Sequence, residues 1–322
     1  MGDLRAQITA LKTGERGFLA LLERYGRAPV LSAISNIMQQ SERAARARTR
    51  SIPDGVYEAE AFMDDDSVDL GKPIPIKVRV IKQGDSMTVD LSDISPQVRG
   101  GFNSGATTGY GCAQVAYKCL TSPTDYPINE GSFRTLDTVV PLGTVVSAVK
   151  PAAMRWWMTF PMTVVDTVFR ALAPAIPDRV IAGHHADLVI ASIHGRQPAD
   201  NKLFLYLGGL IGGGWGAKFN EDGMSATIAI NDGDTHNGPS EQVEAKYPLL
   251  VEKYQLRPDS GGAGTFRGGL GTEQTIRVMS DIMFNTQIER VECRPWGLFG
   301  GLSAFGNEVC IQRKGEEEVV YK

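Results

Sequence analysis

The densest run of polar residues that could do chemistry lies in a loop leading into a short helix. The catalytic candidates are Asp234, His236, Glu241 and Glu244, and Asn237 is a candidate for substrate contact. On a helix, Glu241 and Glu244 are spaced i, i+3 and share one face. Two such carboxylates could orient a substrate amide, or act as acid and base if their environments differ. The simpler alternative is a helix capped by Ser240, with ordinary acidic residues in its first turn.

Two other segments carry groups that could bind a metal. In the run GHHAD at 183–187, His185 and Asp187 would share a face of a strand and could supply two zinc ligands. A His-Asp pair at a strand edge is common without a metal, however, and no HExxH helix accompanies it. The acidic run Asp64–Asp66 could attract a hard cation, but consecutive carboxylates rarely converge on one point. We therefore predict no metal site in this chain and interpret the acidic run as a solvated loop.

Glycines are concentrated in the last third of the chain, where 19 of the 36 fall between residues 201 and 310. The segment 261–271 lacks the Lys-Ser or Lys-Thr of a Walker A loop, and no GxGxxG fingerprint occurs between a strand and a helix. An anion-binding backbone nest in that segment is left open. Cys112 follows glycines at the start of an apolar stretch, and we interpret it as a small core residue rather than a nucleophile.

The periodicity of apolar residues divides the chain into three zones. Residues 1–50 predict a pair of helices, interrupted near Gly26 and Pro29, and residues 51–149 predict a β-rich region that includes a hairpin. Residues 150–322 predict a mixed, glycine-rich lobe. The predicted elements of this lobe are a helix at 162–172 and strands at 180–182, 188–193 and 203–207. The predicted fold class is α+β, with the helical pair on a mixed, largely antiparallel sheet.

Length and composition set the limits for this interpretation. The chain has 322 residues and a net charge of −4, which argues against a nucleic-acid partner. Its four cysteines form no CxxC pair and predict buried thiols in a reducing compartment. No apolar run is long enough to cross a membrane and the N-terminus does not resemble a secretion signal, so we predict a cytoplasmic protein.

Several motifs, in a fixed order along the chain, resemble the hydantoinase B/oxoprolinase family. The most specific is the segment 241–271, which contains EQVE, YPL and YQLRPDSGGAGTFRGGLG. The others are GDLRAQ at 2–7, PDG at 53–55, PQVRG at 96–100, AIPDRV at 175–180 and PWGLFGG at 295–301. The resemblance covers nearly the whole chain, but it corresponds only to the C-terminal portion of the family's longer subunits.

The resemblance implies half of a subunit that opens cyclic amides such as hydantoins, oxoproline or lactams. A hydantoinase A-like ATPase partner, with ATP and Mg²⁺, would phosphorylate the amide oxygen, and the B component would complete ring opening with water. The family's divalent metal would be held by the N-terminal half, which is absent here, so this chain itself would bind no cofactor. Within the matched segment, Arg257 and Arg267 join Asn237 as candidates for substrate, anion or interface contact.

Two alternatives remain at this point. Some relatives use the same kind of subunit pair to carboxylate acetone or acetophenone, which makes this chain a candidate ketone carboxylase subunit. The other alternative is a non-catalytic scaffold that holds the partner subunits together.

Overall fold

A computed structural model describes residues 1–122, 128–154, 160–208, 212–230 and 235–321. One candidate catalytic residue, Asp234, lies outside these ranges.

Two long helices form the N-terminal region, as predicted. Helix α1 spans Gly2–Tyr25 and helix α2 spans Arg27–Arg50. They are separated by Gly26, whose φ of 81° is accessible to glycine at little cost. No residue of α1 is buried, and its substantial contacts within the described residues are with α2. The C-terminal half of α2 anchors the pair to the body of the protein through Ser41, Ala45 and Thr49.

The main sheet has the strand order β1-β2-β3-β4. Its strands are Gly55–Met63, Ile74–Gln83, Ser86–Asp90 and Leu136–Val139. The first three are antiparallel, whereas β3 and β4 are parallel, so the sheet is mixed, as predicted. The predicted hairpin is confirmed: Gln83 pairs with Ser86 across a turn in which Gly84 has a φ of 60°.

Two further helices cover this sheet and complete the main core. Helix α3 spans Ala106–Thr121, helix α4 spans Phe160–Leu172, and a short 3-10 helix spans Glu130–Phe133. Alternate residues of β2 are buried because one face of the strand meets α4. Cys112, within α3, is buried in this core, and burial raises its pKa to about 12. The thiol is therefore protonated and inert, in agreement with the prediction of a small core residue.

The remainder of the chain is built from short antiparallel sheets and one short helix. A three-stranded sheet has the order β6-β5-β9, and β7 pairs with β8 and β10 with β11. Helix α5 spans Ser240–Lys246 and contacts β7. In chain order, strands β5 to β11 span Ile190–Arg196, Leu203–Gly208, Leu249–Leu256, Thr272–Val278, Ile282–Gln287, Val309–Ile311 and Val319–Tyr321.

The structure corrects several local predictions. Of the four cysteines predicted to be buried thiols, Cys119 and Cys310 are exposed. Residues 180–182 and 183–187 are irregular rather than β-strand, so His185 and Asp187 are not placed by strand alternation. The N-cap residue of α5 is Pro239 rather than Ser240. Ser240 is the first residue of the helix, and no side chain caps the helix N-terminus. The run Asp64–Asp66 is buried rather than solvated. Among the helices described, none combines the length and hydropathy that a membrane span requires.

Candidate functional site

The loop that precedes α5 borders a small cavity. His236 and Asn237 are exposed on this loop, and the Asn237 side-chain amide donates a 2.7 Å hydrogen bond to the hydroxyl of Tyr254. The cavity has a volume of about 420 Å³, which suits a small organic molecule. Its walls combine apolar, aromatic and amide side chains. They include Leu205, Tyr206, Gln242, Val243, Tyr247 and Gln274 in addition to the loop residues. We call this site the α5 pocket.

Glu241, Glu244, Arg257 and Arg267 lie outside the lining of the α5 pocket. Glu241 is exposed in the first turn of α5, while the Glu244 carboxylate accepts a 3.0 Å hydrogen bond from the backbone N–H of Val251. This bond ties the helix to β7. The structure therefore brings His236 and Asn237 together at one cavity and gives Glu244 a structural contact.

The two arginines are placed further along the chain. Arg257 donates to the carbonyl of Gly306 at 2.8 Å and lies 3.3 Å from the carboxylate of Glu308. The Arg267 guanidinium lies 4.0 Å from the Asp222 carboxylate, and both side chains are more than half exposed. Arg257 thus stabilises packing of the C-terminal loops, whereas Arg267 is a surface residue.

A second group of ionisable residues, which local sequence patterns did not predict, is buried between the main sheet and the C-terminal lobe. We call it the buried charged cluster. Its members are Asp64, Asp166, His184, His185, Asp187, Glu289 and Arg290.

Asp166 on α4 is the centre of one half of this cluster. Its carboxylate lies 2.7 Å from Nδ1 of His184 and 3.1 Å from the guanidinium of Arg290. Asp166, His184 and Arg290 are each at most 2% exposed. A carboxylate at this depth requires compensation by a cation and hydrogen bonds, and Arg290 and His184 provide both.

The other half of the cluster connects the acidic run to the segment after β9. The Asp64 carboxylate accepts hydrogen bonds from three consecutive backbone N–H groups, at distances from 2.7 to 3.1 Å. The donors are Val291, Glu292 and Cys293. In return, the backbone N–H of Asp64 donates to the Glu289 carboxylate at 3.0 Å. Asp187 accepts from the backbone N–H of Glu289 at 2.7 Å. These bonds explain why Asp64 is buried: its carboxylate satisfies backbone donors.

Burial changes the protonation of three cluster members. Desolvation raises the pKa of Glu289 to about 8, with a further contribution from the Asp64 charge, and raises the pKa of Asp187 to about 7. Desolvation lowers the pKa of His185 to about 3, so its imidazole is neutral. Two carboxyl groups that titrate near neutral pH could take part in proton transfer. Neither carboxyl faces the broad cleft beside the cluster, whose lining includes only His185 and Arg290 from this set.

The glycine-rich loops enclose the cluster by packing at distances that exclude a side chain. A Cβ on Gly213 would lie 2.2 Å from Cγ of His185, and one on Gly214 would lie 1.9 Å from the carbonyl of Gly269. The backbone N–H of His185 in turn donates to Gly214 at 3.0 Å. The backbone of these glycine-rich loops thus packs closely against His185 and against neighbouring backbone.

The residues of the cluster do not fit the divalent metal implied by the family resemblance. The guanidinium of Arg290, a fixed cation, lies 3.1 Å from the Asp166 carboxylate and already compensates its charge. Across the described ranges, no three or more His, Cys, Asp or Glu side chains are arranged to hold a metal ion.

Comparison with known proteins assigns the family. The profile of the family described as Hydantoinase B/oxoprolinase matches residues 1–321, so this chain belongs to that family. The chain is 30% identical to the putative D-/L-hydantoinase B subunit of Pseudomonas sp. strain NS671, over 99% of this chain and 55% of the relative. It is 35% identical to the caprolactamase beta subunit of Pseudomonas jessenii, over 88% of this chain and 49% of the relative.

A solved structure and a third relative extend this comparison. The crystal structure of the ATP-dependent caprolactamase from Pseudomonas jessenii matches 99% of this chain and 56% of its own chain, with a TM-score of 0.84 and 29% identity. The acetophenone carboxylase delta subunit of Aromatoleum aromaticum is 27% identical, over 93% of this chain and 45% of the relative. The chain thus spans about half the length of these relatives.

Proposed function

We propose that this chain is half of a hydantoinase B-like subunit that opens cyclic amides in an ATP-dependent complex. The observation that carries the proposal is the family match over residues 1–321, together with the fold shared with an ATP-dependent caprolactamase over 99% of the chain. The half in question corresponds to the C-terminal portion of the longer subunits, and the complex would operate in the cytoplasm.

The proposed division of labour follows from the chemistry of amides. An unactivated cyclic amide resists attack by water, whereas phosphorylation of its oxygen creates a leaving group and an electrophilic carbon. A hydantoinase A-like subunit would bind ATP and Mg²⁺ and carry out this activation. The divalent metal would be held by the complementary half of the B subunit. The absence of a Walker A sequence from this chain supports the placement of ATP on the partner.

Within this chain, we assign substrate contact to the α5 pocket. His236 and Asn237, with Asp234 preceding them, would hydrogen-bond the amide, and the aromatic walls would contact the apolar part of the ring. Glu241 and Glu244 lie on the adjoining helix, where Glu241 is free to approach a ligand from the surface. Arg257 and Arg267 would serve as anion or interface contacts.

Reconstitution tests this function. The chain should be combined with a hydantoinase A-like subunit and the complementary half, and ring opening of hydantoin, 5-oxoproline and caprolactam should be followed with and without ATP. We expect ring opening of at least one of these substrates, with ATP consumed in proportion. Hydrolysis by the isolated chain without nucleotide or partner would contradict the proposal.

A ketone carboxylase subunit is a second candidate because the acetophenone carboxylase delta subunit is a relative. The reconstituted complex discriminates between the two, since carboxylation of a ketone requires bicarbonate and ring opening does not. A complex that turns over acetophenone only with bicarbonate would favour the carboxylase.

A non-catalytic scaffold is a third candidate, favoured by the structural use of Glu244. The substitution Glu244→Gln retains an oxygen that can accept from Val251 but removes the charge. Unchanged turnover in an intact Glu244→Gln complex would favour a scaffold, whereas a loss of turnover with intact assembly would favour a catalytic role.

A further inference from the structure

Helix α1 presents an apolar face to solvent from Leu4 to Leu19, interrupted by Glu15. We call this face the α1 stripe. Its residues are Leu4, Ile8, Leu11, Phe18 and Leu19. They lie within about 120° of arc on a helix, and their exposure ranges from 43% for Phe18 to 75% for Leu11. Globular proteins rarely expose a contiguous apolar surface of this extent unless it binds another surface.

Apolar side chains are also exposed on α2. Leu31, Ile34 and Ile37 are exposed in the first half of this helix. They lie on the face that is buried further along the helix at Ser41, Ala45 and Thr49. One face of α2 is therefore buried in the core near the C-terminal end of the helix and exposed to solvent near its N-terminal end. A second body of protein could cover the exposed part and extend the core.

The lengths of the relatives indicate what this second body is. The hydantoinase and caprolactamase relatives carry this fold together with a similar length of additional polypeptide in the same chain. Polypeptide joined to the fold in this way has a high effective concentration near it. Wide apolar surfaces are also more typical of permanent interfaces than of transient ones.

We propose that the α1 stripe, together with the exposed apolar side chains of α2, is the docking surface for the complementary half of the B subunit. This inference rests on the proposed function for the identity of the partner. It adds the location: the two halves join along α1, remote in sequence from the α5 pocket, whichever polypeptide carries the second half.

The test measures binding of the two halves directly. The probe is the part of the Pseudomonas sp. hydantoinase relative that this chain does not match. We expect the wild-type chain to form a one-to-one complex with it. The double substitution Leu11→Asp/Phe18→Asp would place two charges in the buried interface and weaken binding by about 100-fold or more.

The matched control is Thr13→Asp/Ala20→Asp, on the opposite face of α1. This variant introduces the same charges into the same helix and should bind within about threefold of wild type. Because no residue of α1 is buried, both variants should retain the wild-type circular dichroism and melting temperature. Any difference in binding between the two variants then results from the face of α1 that carries the charges and not from loss of folding.

Three results of the binding experiment would overturn the inference. They are the absence of a complex with the wild-type chain, a complex that survives Leu11→Asp/Phe18→Asp, and equal loss of binding in both double variants. Sedimentation of the chain alone tests a second copy as the occupant: a dimer that Leu11→Asp/Phe18→Asp dissociates, without effect on the complementary half, would also overturn it. A complex that forms as expected but opens no cyclic amide would contradict the proposed function and leave this interface intact.

Discussion

The buried charged cluster and the α5 pocket hold histidines in opposite environments. In the cluster, the buried Asp64 carboxylate accepts hydrogen bonds from backbone N–H groups. The buried Asp166 carboxylate contacts a histidine and an arginine. In the α5 pocket, His236 and Asn237 are exposed on a loop. Burial therefore gives the cluster residues a structural role, whereas exposure places His236 and Asn237 at the edge of a cavity.

The two regions should respond to mutation in different ways. Removing a charged partner from the cluster leaves its counterpart buried without compensation, which costs several kcal/mol of stability. Removing a polar side chain from the pocket exposes no buried charge, and its effect should be confined to binding.

The largest effect is expected for Arg290→Met. Arg290 is 2% exposed and supplies the cation that lies against Asp166, so its loss should reduce the free energy of unfolding by about 3–5 kcal/mol. Urea denaturation monitored by circular dichroism measures this change. The control is Arg267→Met, which removes an exposed arginine 4.0 Å from Asp222 and should cost less than about 1 kcal/mol. Equal costs for the two variants would contradict a structural role for the cluster.

A smaller loss of stability is expected for Asp64→Asn. The substitution replaces one of two acceptor oxygens by an amide group that opposes the N–H donors of Val291, Glu292 and Cys293. We expect a decrease of about 2–3 kcal/mol in the free energy of unfolding. The same substitution at the exposed residue Asp93 should change it by no more than about 0.5 kcal/mol. A stability of Asp64→Asn equal to that of the Asp93→Asn control would refute this account of the acidic run.

The cluster also predicts how stability depends on pH. Burial raises the pKa of Glu289 to about 8, above its ordinary value of 4.5, so the folded protein retains a proton that the unfolded chain releases. Protonation of Glu289 thus contributes stability at low pH that is lost as the pH rises from about 4.5 towards 8. Asp187, with its pKa raised to about 7, acts in the same direction.

The substitution Glu289→Gln should remove its part of this dependence. The amide oxygen still accepts from the backbone N–H of Asp64 but cannot ionise. We expect the loss of stability between pH 6 and pH 8 to be smaller than in wild type by about 2 kcal/mol. The exposed Glu292 provides the control, since Glu292→Gln should keep the wild-type slope. A wild-type slope in Glu289→Gln would refute the protonated state of Glu289.

The sequence was sufficient to predict the elements formed by local patterns. The spacing of apolar residues predicted both N-terminal helices, the β2–β3 hairpin in the β-rich region and the helix at 162–172, which is α4. Family motifs then identified the family that the comparison confirms. Local patterns work here because each element is defined by neighbours along the chain.

The buried charged cluster could not be predicted in this way. Asp64 and Glu289 are 225 residues apart in sequence, and their proximity results from the packing of the sheet, α4 and the C-terminal loops. Asp64 looked like part of a solvated loop because its backbone donors, Val291 to Cys293, lie in a distant segment. The available signal was the density of glycines near Gly213, which indicated close packing but not its target.

The smallest effect on stability is expected in the α5 pocket. His236→Ala and Asn237→Ala should each change the free energy of unfolding by less than about 0.5–1 kcal/mol, because both residues are exposed. In the reconstituted complex, Asn237→Ala should raise KM for the cyclic amide by about fivefold to tenfold, the effect of losing one hydrogen bond to substrate. Gln83→Ala, on an exposed position of β2 outside the pocket, is the control. A KM that is unchanged in both pocket variants would place substrate contact elsewhere in the complex and would leave the α5 pocket, like the buried charged cluster, with a structural role.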